Sequence, residues 1–275
     1  MTGIFDRTVR IGLSLAVAGF ALFWVLNRGW YVSLRDAQFF NGWVLTGAIC
    51  GLMLLTLRKR VVILPLGRVR GWMALHYYLG FACVGVFFIH AGTSLPDAPM
   101  EWVLWMLFVF IAASGLFGAL LAKLIPLRLE EHGERIIFER IPVFRRKLAE
   151  EAEAIALDSV RDGNTVSIAE LHAERLAAYF ARPRHIAAHL MSSNLPVSRI
   201  MGELASIERY LDEAGKERLQ RLRELVLAKD NLDFQYANGG LLKLWLFVHV
   251  PASWAMLLVM LAHIVIAYAY SAGVA

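Results

Sequence analysis

The chain has 275 residues, of which 58% are hydrophobic and 19% charged, with a mean hydropathy of +0.54. This composition excludes a disordered chain, a collagen-like fibre and a polar coiled coil, and it is too apolar for one ordinary soluble domain. The net charge of +5 and the sequence pI near 9.4 fit nucleic acid, an acidic membrane surface or membrane topology, and the placement of the charges decides among them.

A helix needs about 20 apolar residues to cross a bilayer core. Seventeen uncharged residues lie between Arg10 and Arg28, 21 between Asp36 and Arg58, 26 between Arg70 and Asp97, and 21 between Glu101 and Lys123. The 32 residues after Lys243 carry no Lys, Arg, Asp or Glu. These runs predict spans near 10–27, 39–57, 72–92, 101–122 and 242–269. The first resembles a signal peptide in its basic flank, Arg7 and Arg10. It is longer than the usual apolar region of about 7–15 residues and ends in Trp24-Val25-Leu26-Asn27-Arg28 rather than in small residues, so it reads as a retained span.

Loop charge sets the orientation. Arg58, Lys59, Arg60, Arg68 and Arg70 crowd the connection between spans 2 and 3, and no acid offsets them. Between spans 3 and 4 the only charge is Asp97. Only Arg28 and Arg35 fall on the other side. The expectation is a multi-pass protein of a bacterial-type inner (plasma) membrane, N-terminus in the cytoplasm and C-terminus in the periplasm.

Residues 123–240 hold 18 of the 28 basic residues and 19 of the 23 acids. The expected domains are therefore 1–122 with spans 1–4, a soluble helical cytoplasmic insert over 123–240, and 241–275 with span 5. The insert carries 18 − 19 = −1, leaving +6 for the rest. The basic pI is a topology signal, and nucleic acid is not an expected partner. Within the insert, Ile136, Ile137, Ile141 and Leu148, then Ala152, Ile155 and Ala156, recur at helical spacing. Ser167 with Glu170 forms a capping-box pattern opening a helix over 168–180. Pro183 and Pro196 mark breaks. Helices are expected over 201–210 and 215–237, with Gly239-Gly240 as punctuation before span 5. His172 stands alone. His185 and His189, four apart, would share a helix face, but no third metal ligand is near in sequence. Glu130, Glu131, Glu134 and Glu139 beside Arg135, Arg140, Arg145, Arg146 and Lys147 read as a solvated surface or as a docking platform for a soluble redox partner.

Cys50 and Cys83 both lie in apolar runs, and no C-x-x-C-H occurs. A disulfide scaffold, a cysteine-ligated iron–sulfur cluster, a zinc ribbon and a c-type haem are thereby excluded within this chain.

The informative residues are four histidines. His76 and His90 lie in span 3, His249 and His263 in span 5, and each pair is 14 positions apart. Fourteen helical residues rise about 21 Å and turn through about 1400°, within roughly 40° of whole turns. The two histidines of each helix thus share a face, one near each side of the membrane. Spans 3 and 5 run parallel, so His76 and His249 share the cytoplasmic level and His90 and His263 the outer one. Two facing imidazoles at one depth can hold a haem iron axially. Gly80 and Gly85, with Gly115 and Gly118 on span 4, would clear room for flat rings, or would serve close helix packing. Phe87, Phe88 and Trp254 are candidate packing partners for the ring edges. Arg68, Arg70 and Lys243 are candidates to neutralise inner propionates, or are topology signals alone. A proton relay is the rival use of intramembrane histidines, but no Asp or Glu lies inside the five uncharged runs.

This pattern resembles two diheme families. In the transmembrane core of ferric reductases and NADPH oxidases, helices 3 and 5 each carry two haem-ligating histidines and the N-terminus is cytoplasmic. That resemblance implies the ligand role for His76, His90, His249 and His263. The cytochrome b of quinol–cytochrome c reductases is also similar, with paired histidines on two parallel helices, although aligned on spans 2–5 this chain would run through the membrane in the opposite direction. The likeness covers the membrane part alone. No G-x-G-x-x-G is present, and the insert aligns with neither family.

The expected fold is an all-α membrane protein with five transmembrane helices, a four-helix haem-binding bundle and a helical cytoplasmic insert between helices 4 and 5. The expected function is that of an electron-transfer subunit with two haem b groups, inner at His76/His249 and outer at His90/His263. Its partners would be membrane lipid, a cytoplasmic iron–sulfur or flavin protein, and an outer cytochrome c or quinone, within a larger oxidoreductase complex. A quinone-reactive membrane anchor and a non-redox transporter with a histidine proton relay are the alternatives.

Overall fold

The computed structural model describes residues 2–32, 37–60, 69–131, 136–161 and 166–271, and no strand occurs among them. The chain divides into two compact units, Met1–Ala119 with Leu246–Ala275, and Leu120–Trp245.

The first unit contains α1 (Thr2–Val32), α2 (Ala37–Arg60), α3 (Val69–Ala91), most of α4 (Pro99–Glu131) and the last part of α10 (Glu213–Ser271). Among the described residues four helices, α2, α3, α4 and α10, are long and apolar enough to cross a membrane. The expected first span falls in α1, and the side chains of its flanking Arg7 and Arg10 lie outside the described residues. One buried cluster holds the unit together. It takes Phe23 from α1, Leu45 and Ile49 from α2, Cys83, Val86 and Phe87 from α3, Phe108 from α4, and Met256 and Met260 from α10. Phe87 and Phe108 stack face to face, centroids 3.9 Å apart. Large apolar side chains such as Val17, Phe81, Leu116, Leu258 and Val265 are exposed around this core. So continuous an apolar exterior suits lipid rather than water as solvent.

The second unit contains a short 3₁₀ turn (Phe138–Arg140), α5 (Ile141–Arg161), α6 (Val166–Leu171), a π-helical turn (His172–Leu176), α7 (Ala177–Ala181), α8 (Ile186–Leu190), α9 (Leu195–Glu208), and the first part of α10. Its core gathers Ala152, Ile168, Leu176, Tyr179, Phe180, Leu204, Leu219, Leu222 and Val226. Several expected boundaries move. Ile136 and Ile137 precede the 3₁₀ turn, and the helix proper begins at Ile141. Ser167 lies one residue inside α6 rather than before it. Helix α9 starts at Leu195 instead of 201, because Pro196 sits in its first turn, where its missing N–H costs nothing. Before α8, His185 adopts the left-handed conformation (φ 57°). His185 thus stands at the N-cap, before the helix that carries His189, and among the described residues no group of three or more His, Cys, Asp or Glu side chains is placed to hold a metal ion.

The largest departure is at Gly239-Gly240. The helix does not break there: α10 runs unbroken over 59 residues. The glycines admit a neighbour instead. A Cβ on Gly239 would lie 2.9 Å from Phe138 Cδ2, and that ring stacks on Tyr236 with centroids 5.2 Å apart.

A polar cluster is sealed inside this unit. The Lys229 ammonium, fully buried, pairs with the Asp233 carboxylate, which is 1% exposed. Asp233 also accepts the Arg184 backbone N–H at 2.9 Å, and Lys229 Nζ lies 3.7 Å from the Tyr179 ring centroid. Burial pushes the Lys229 pKa down against the pull of Asp233. His189 Nε2 stands 3.7 Å from Asp230 Oδ1, beyond hydrogen-bond reach. Burial lowers the His189 pKa and raises that of Asp230, so both are biased toward their neutral forms.

Candidate functional site

The four histidines lie half-buried in the first unit. His76 is close enough to His249 for the two rings to interact electrostatically, and His90 stands in the same relation to His263. The pairing by level expected from the 14-residue spacing is therefore what the packing brings together.

Helix α2 supports the α3 pair. Nδ1 of His76 lies 3.2 Å from the Leu52 carbonyl oxygen, and Nδ1 of His90 lies 3.1 Å from that of Gln38. A carbonyl can only accept, so each Nδ1 carries its proton and donates it. Nε2 is then the lone-pair nitrogen, the one a metal would take. Gln38 and Leu52 are themselves 14 residues apart, and α2 runs antiparallel to α3. The same interval on both helices satisfies both rings at once. His249 is held differently: its Nδ1 lies 3.1 Å from Ser114 Oγ on α4.

One cavity of about 390 Å³ opens at the His90/His263 level, with both of these side chains in its wall. A volume of that order is typical of small-molecule sites, commonly about 300–1,000 Å³. Its floor includes Ile49, Phe87, Phe108, Met256 and Met260, and its rim includes Ser94, Asp97 and Glu101. On the α2 and α10 side, Trp43 Nε1 donates to the Tyr268 hydroxyl at 3.0 Å. Gly42 gives His90 its place: a Cβ there would lie 3.0 Å from His90 Cε1.

The other expected site residues divide. Gly115 adjoins the inner level, since a Cβ on it would meet His249 Cε1 at 3.8 Å. Gly118 is buried. The space left by Gly85 is filled by Phe20 of α1, whose Cε2 would be 2.7 Å from an added Cβ, so this glycine serves helix packing. Around Gly80 nothing lies within 4 Å of such a Cβ. Phe87 lines the cavity, whereas Phe88 and Trp254 are exposed on the outside of their helices. Arg68 and the side chain of Arg70 lie outside the described residues. Lys243, in the second unit, pairs with Glu139 and sits 4.0 Å from the Phe138 ring centroid. That contact holds the Glu139 carboxyl below its usual pKa. Of the acids expected beside it, the side chains of Glu130, Glu131 and Glu134 lie outside the described residues.

Sequence reasoning found α2 but missed the support that it and Ser114 give the histidines. A main-chain carbonyl carries no residue signature, and Ser114 is one of many small residues on its helix. The chain matches no family model, no curated protein and no solved structure.

Gly42 and Gly80 make a paired test of which glycine matters. Gly42→Val is expected to displace the His90 ring and, on the diheme expectation, to weaken haem retention at the outer level by about tenfold or more, the scale for disturbing a ligand's support. Gly80→Ala should leave both levels intact. Haem content per chain after purification checks both.

Proposed function

We propose that the chain is a membrane-embedded diheme cytochrome b that carries electrons across the membrane. The inner haem b is assigned to His76 and His249, the outer to His90 and His263. The observation that carries this reading is the pairing of four imidazoles at two levels, three of them held through Nδ1 by partners on neighbouring helices. The donor set suits the group: two imidazoles per site, a cavity bordered by both outer ligands, and a glycine where a side chain would displace one of them.

Bound at these positions, haem iron supplies one-electron transfer. The chain's own residues fix the ligands and keep water out. Leu52 and Gln38 orient His76 and His90 through their carbonyls, while Phe87, Phe108 and the two methionines wall the outer site with apolar surface. The positive charges at Arg58, Lys59 and Arg60 support a cytoplasmic N-terminus and an inner-membrane location, with α1 as a fifth span. We assign the electron donor to a cytoplasmic iron–sulfur or flavin protein and the acceptor to an outer cytochrome c or quinone, the chain acting as one subunit of a complex.

A second reading is favoured by the cavity rim. Asp97 and Glu101 border the same space as His90 and His263. A quinol oxidised there would have two carboxylates at hand for its protons.

The purified protein should show a Soret band, a reduced α-band and two haems b per chain by pyridine haemochrome. A colourless protein would sink the proposal in favour of the non-redox transporter. Rapid haem reduction by a quinol analogue, slowed in Glu101→Gln, would support the quinone-reactive form. Indifference to the quinol would leave a protein acceptor.

A further inference from the structure

The Nδ1 partners of the histidines are of two kinds. Those of His76 and His90 are main-chain carbonyls, whose chemistry no substitution alters. That of His249 is a side chain, the Ser114 hydroxyl at 3.1 Å. Ser114 immediately precedes Gly115, where an added Cβ would meet His249 Cε1 at an ordinary contact distance of 3.8 Å. A second hydroxyl, on Ser253 one turn further along α10, donates to the His249 main-chain carbonyl at 2.8 Å. One residue thus receives two hydroxyls, one on its imidazole and one on its backbone.

We infer that Ser114 is a positioning residue for His249, one that sets the electronic character of the inner haem site independently of the outer. The inference rests on the diheme reading. With Nε2 as the metal ligand, Nδ1 carries the proton and Ser114 Oγ accepts it in a hydrogen bond. An acceptor at Nδ1–H makes the imidazole more basic at Nε2, a stronger donor that favours the ferric over the ferrous ion. The same bond holds the ring in one rotamer and one tautomer. Without it, a half-buried N–H loses its partner and the ring is free to turn. The α3 ligands carry equivalent support from the backbone. Ser114 is therefore the point at which a single side chain tunes one level alone.

The test is an optical redox titration of the purified protein in detergent, comparing native, Ser114→Ala, Ser114→Thr and Ser253→Ala. The component lost in His249→Ala identifies the inner haem. Ser114→Ala is expected to raise the midpoint of that component, leave the outer one in place, and weaken inner-haem retention by about tenfold. Ser114→Thr, which keeps the hydroxyl, should restore the native midpoint. Ser253→Ala removes a hydroxyl from the same residue's backbone and should move neither midpoint. If Ser114→Ala binds two haems with both midpoints native, or if Ser253→Ala shifts the inner midpoint as far, the inference fails while the diheme reading stands. If the native protein holds no haem, both fall, and the haem count tells the two failures apart.

Discussion

On the diheme reading, a His249→Ala variant is expected to hold one haem b per chain against two in the native protein, and the haem it keeps is the outer one. The ring of His249 interacts with that of His76 at one level, while His90 and His263 share the cavity at the other. Removing His249 would take one of the two imidazoles that would hold the inner haem and also leave a void beside Gly115. The outer level keeps both of its histidines, which stand 14 residues further along α3 and α10. Double variants decide the pairing. His76→Ala with His249→Ala removes both ligands of one site and should still retain one haem. His90→Ala with His249→Ala removes one ligand from each and should retain none. The opposite pattern, with the first double variant empty and the second half-filled, would show that the pairs run diagonally rather than by level.

Lys229→Met should be the most damaging single change in the second unit. The substitution keeps the volume of the side chain but strips the Asp233 carboxylate, 1% exposed, of the Lys229 ammonium. Breaking a buried pair on one side costs about 3–5 kcal/mol, since the remaining charge has neither water nor a counter-ion. The favourable approach of the ammonium to the Tyr179 ring is lost as well. Native-state hydrogen exchange of the full-length protein in detergent reads the effect directly. Amides of α7 and of α10 before residue 238 should exchange roughly a hundredfold to a thousandfold faster. Adding Asp233→Asn should recover most of that loss. The asparagine carbonyl still accepts the Arg184 N–H, and no buried charge remains. Burial already outweighs pairing in its effect on the Lys229 pKa, the expected sign for a pair whose desolvation cost rivals its attraction. If the double variant is as labile as the single one, the pair stabilises by more than charge neutralisation.

The apolar runs and the interval between histidines were legible because they rest on helix geometry and on solvent transfer, two properties a linear string carries openly. The charge count drew the 123–240 bounds in the same way, and the second compact unit runs over Leu120–Trp245. What the string hid was whatever depends on a neighbour. Gly239-Gly240 reads as a break by conformational preference, yet Phe138 packs against the pair and the helix continues. Gly80 and Gly85 look alike between the α3 histidines, but Phe20 fills the space beside one and nothing lies near the other. Phe88 and Trp254 are as aromatic as Phe87, and only their helical phase turns them away from the cavity. The left-handed conformation of His185 places it at the N-cap of α8, where spacing alone would have put it inside a helix with His189. The support for His76 and His90 came from carbonyls, to which every residue type contributes equally.

Because Leu52 and Gln38 are held at a fixed separation by one continuous helix, α2 acts toward α3 as a ruler. Sliding it by a single residue, about 1.5 Å, would carry both carbonyls off both rings together. The two levels are therefore geared to each other through their supports, even though they share no ligand. On the diheme reading, occupation of the first site to fill would lock the register of α2 against α3 and present the second histidine already oriented. Assembly of the pair would then be cooperative, with the half-filled protein scarce along the way.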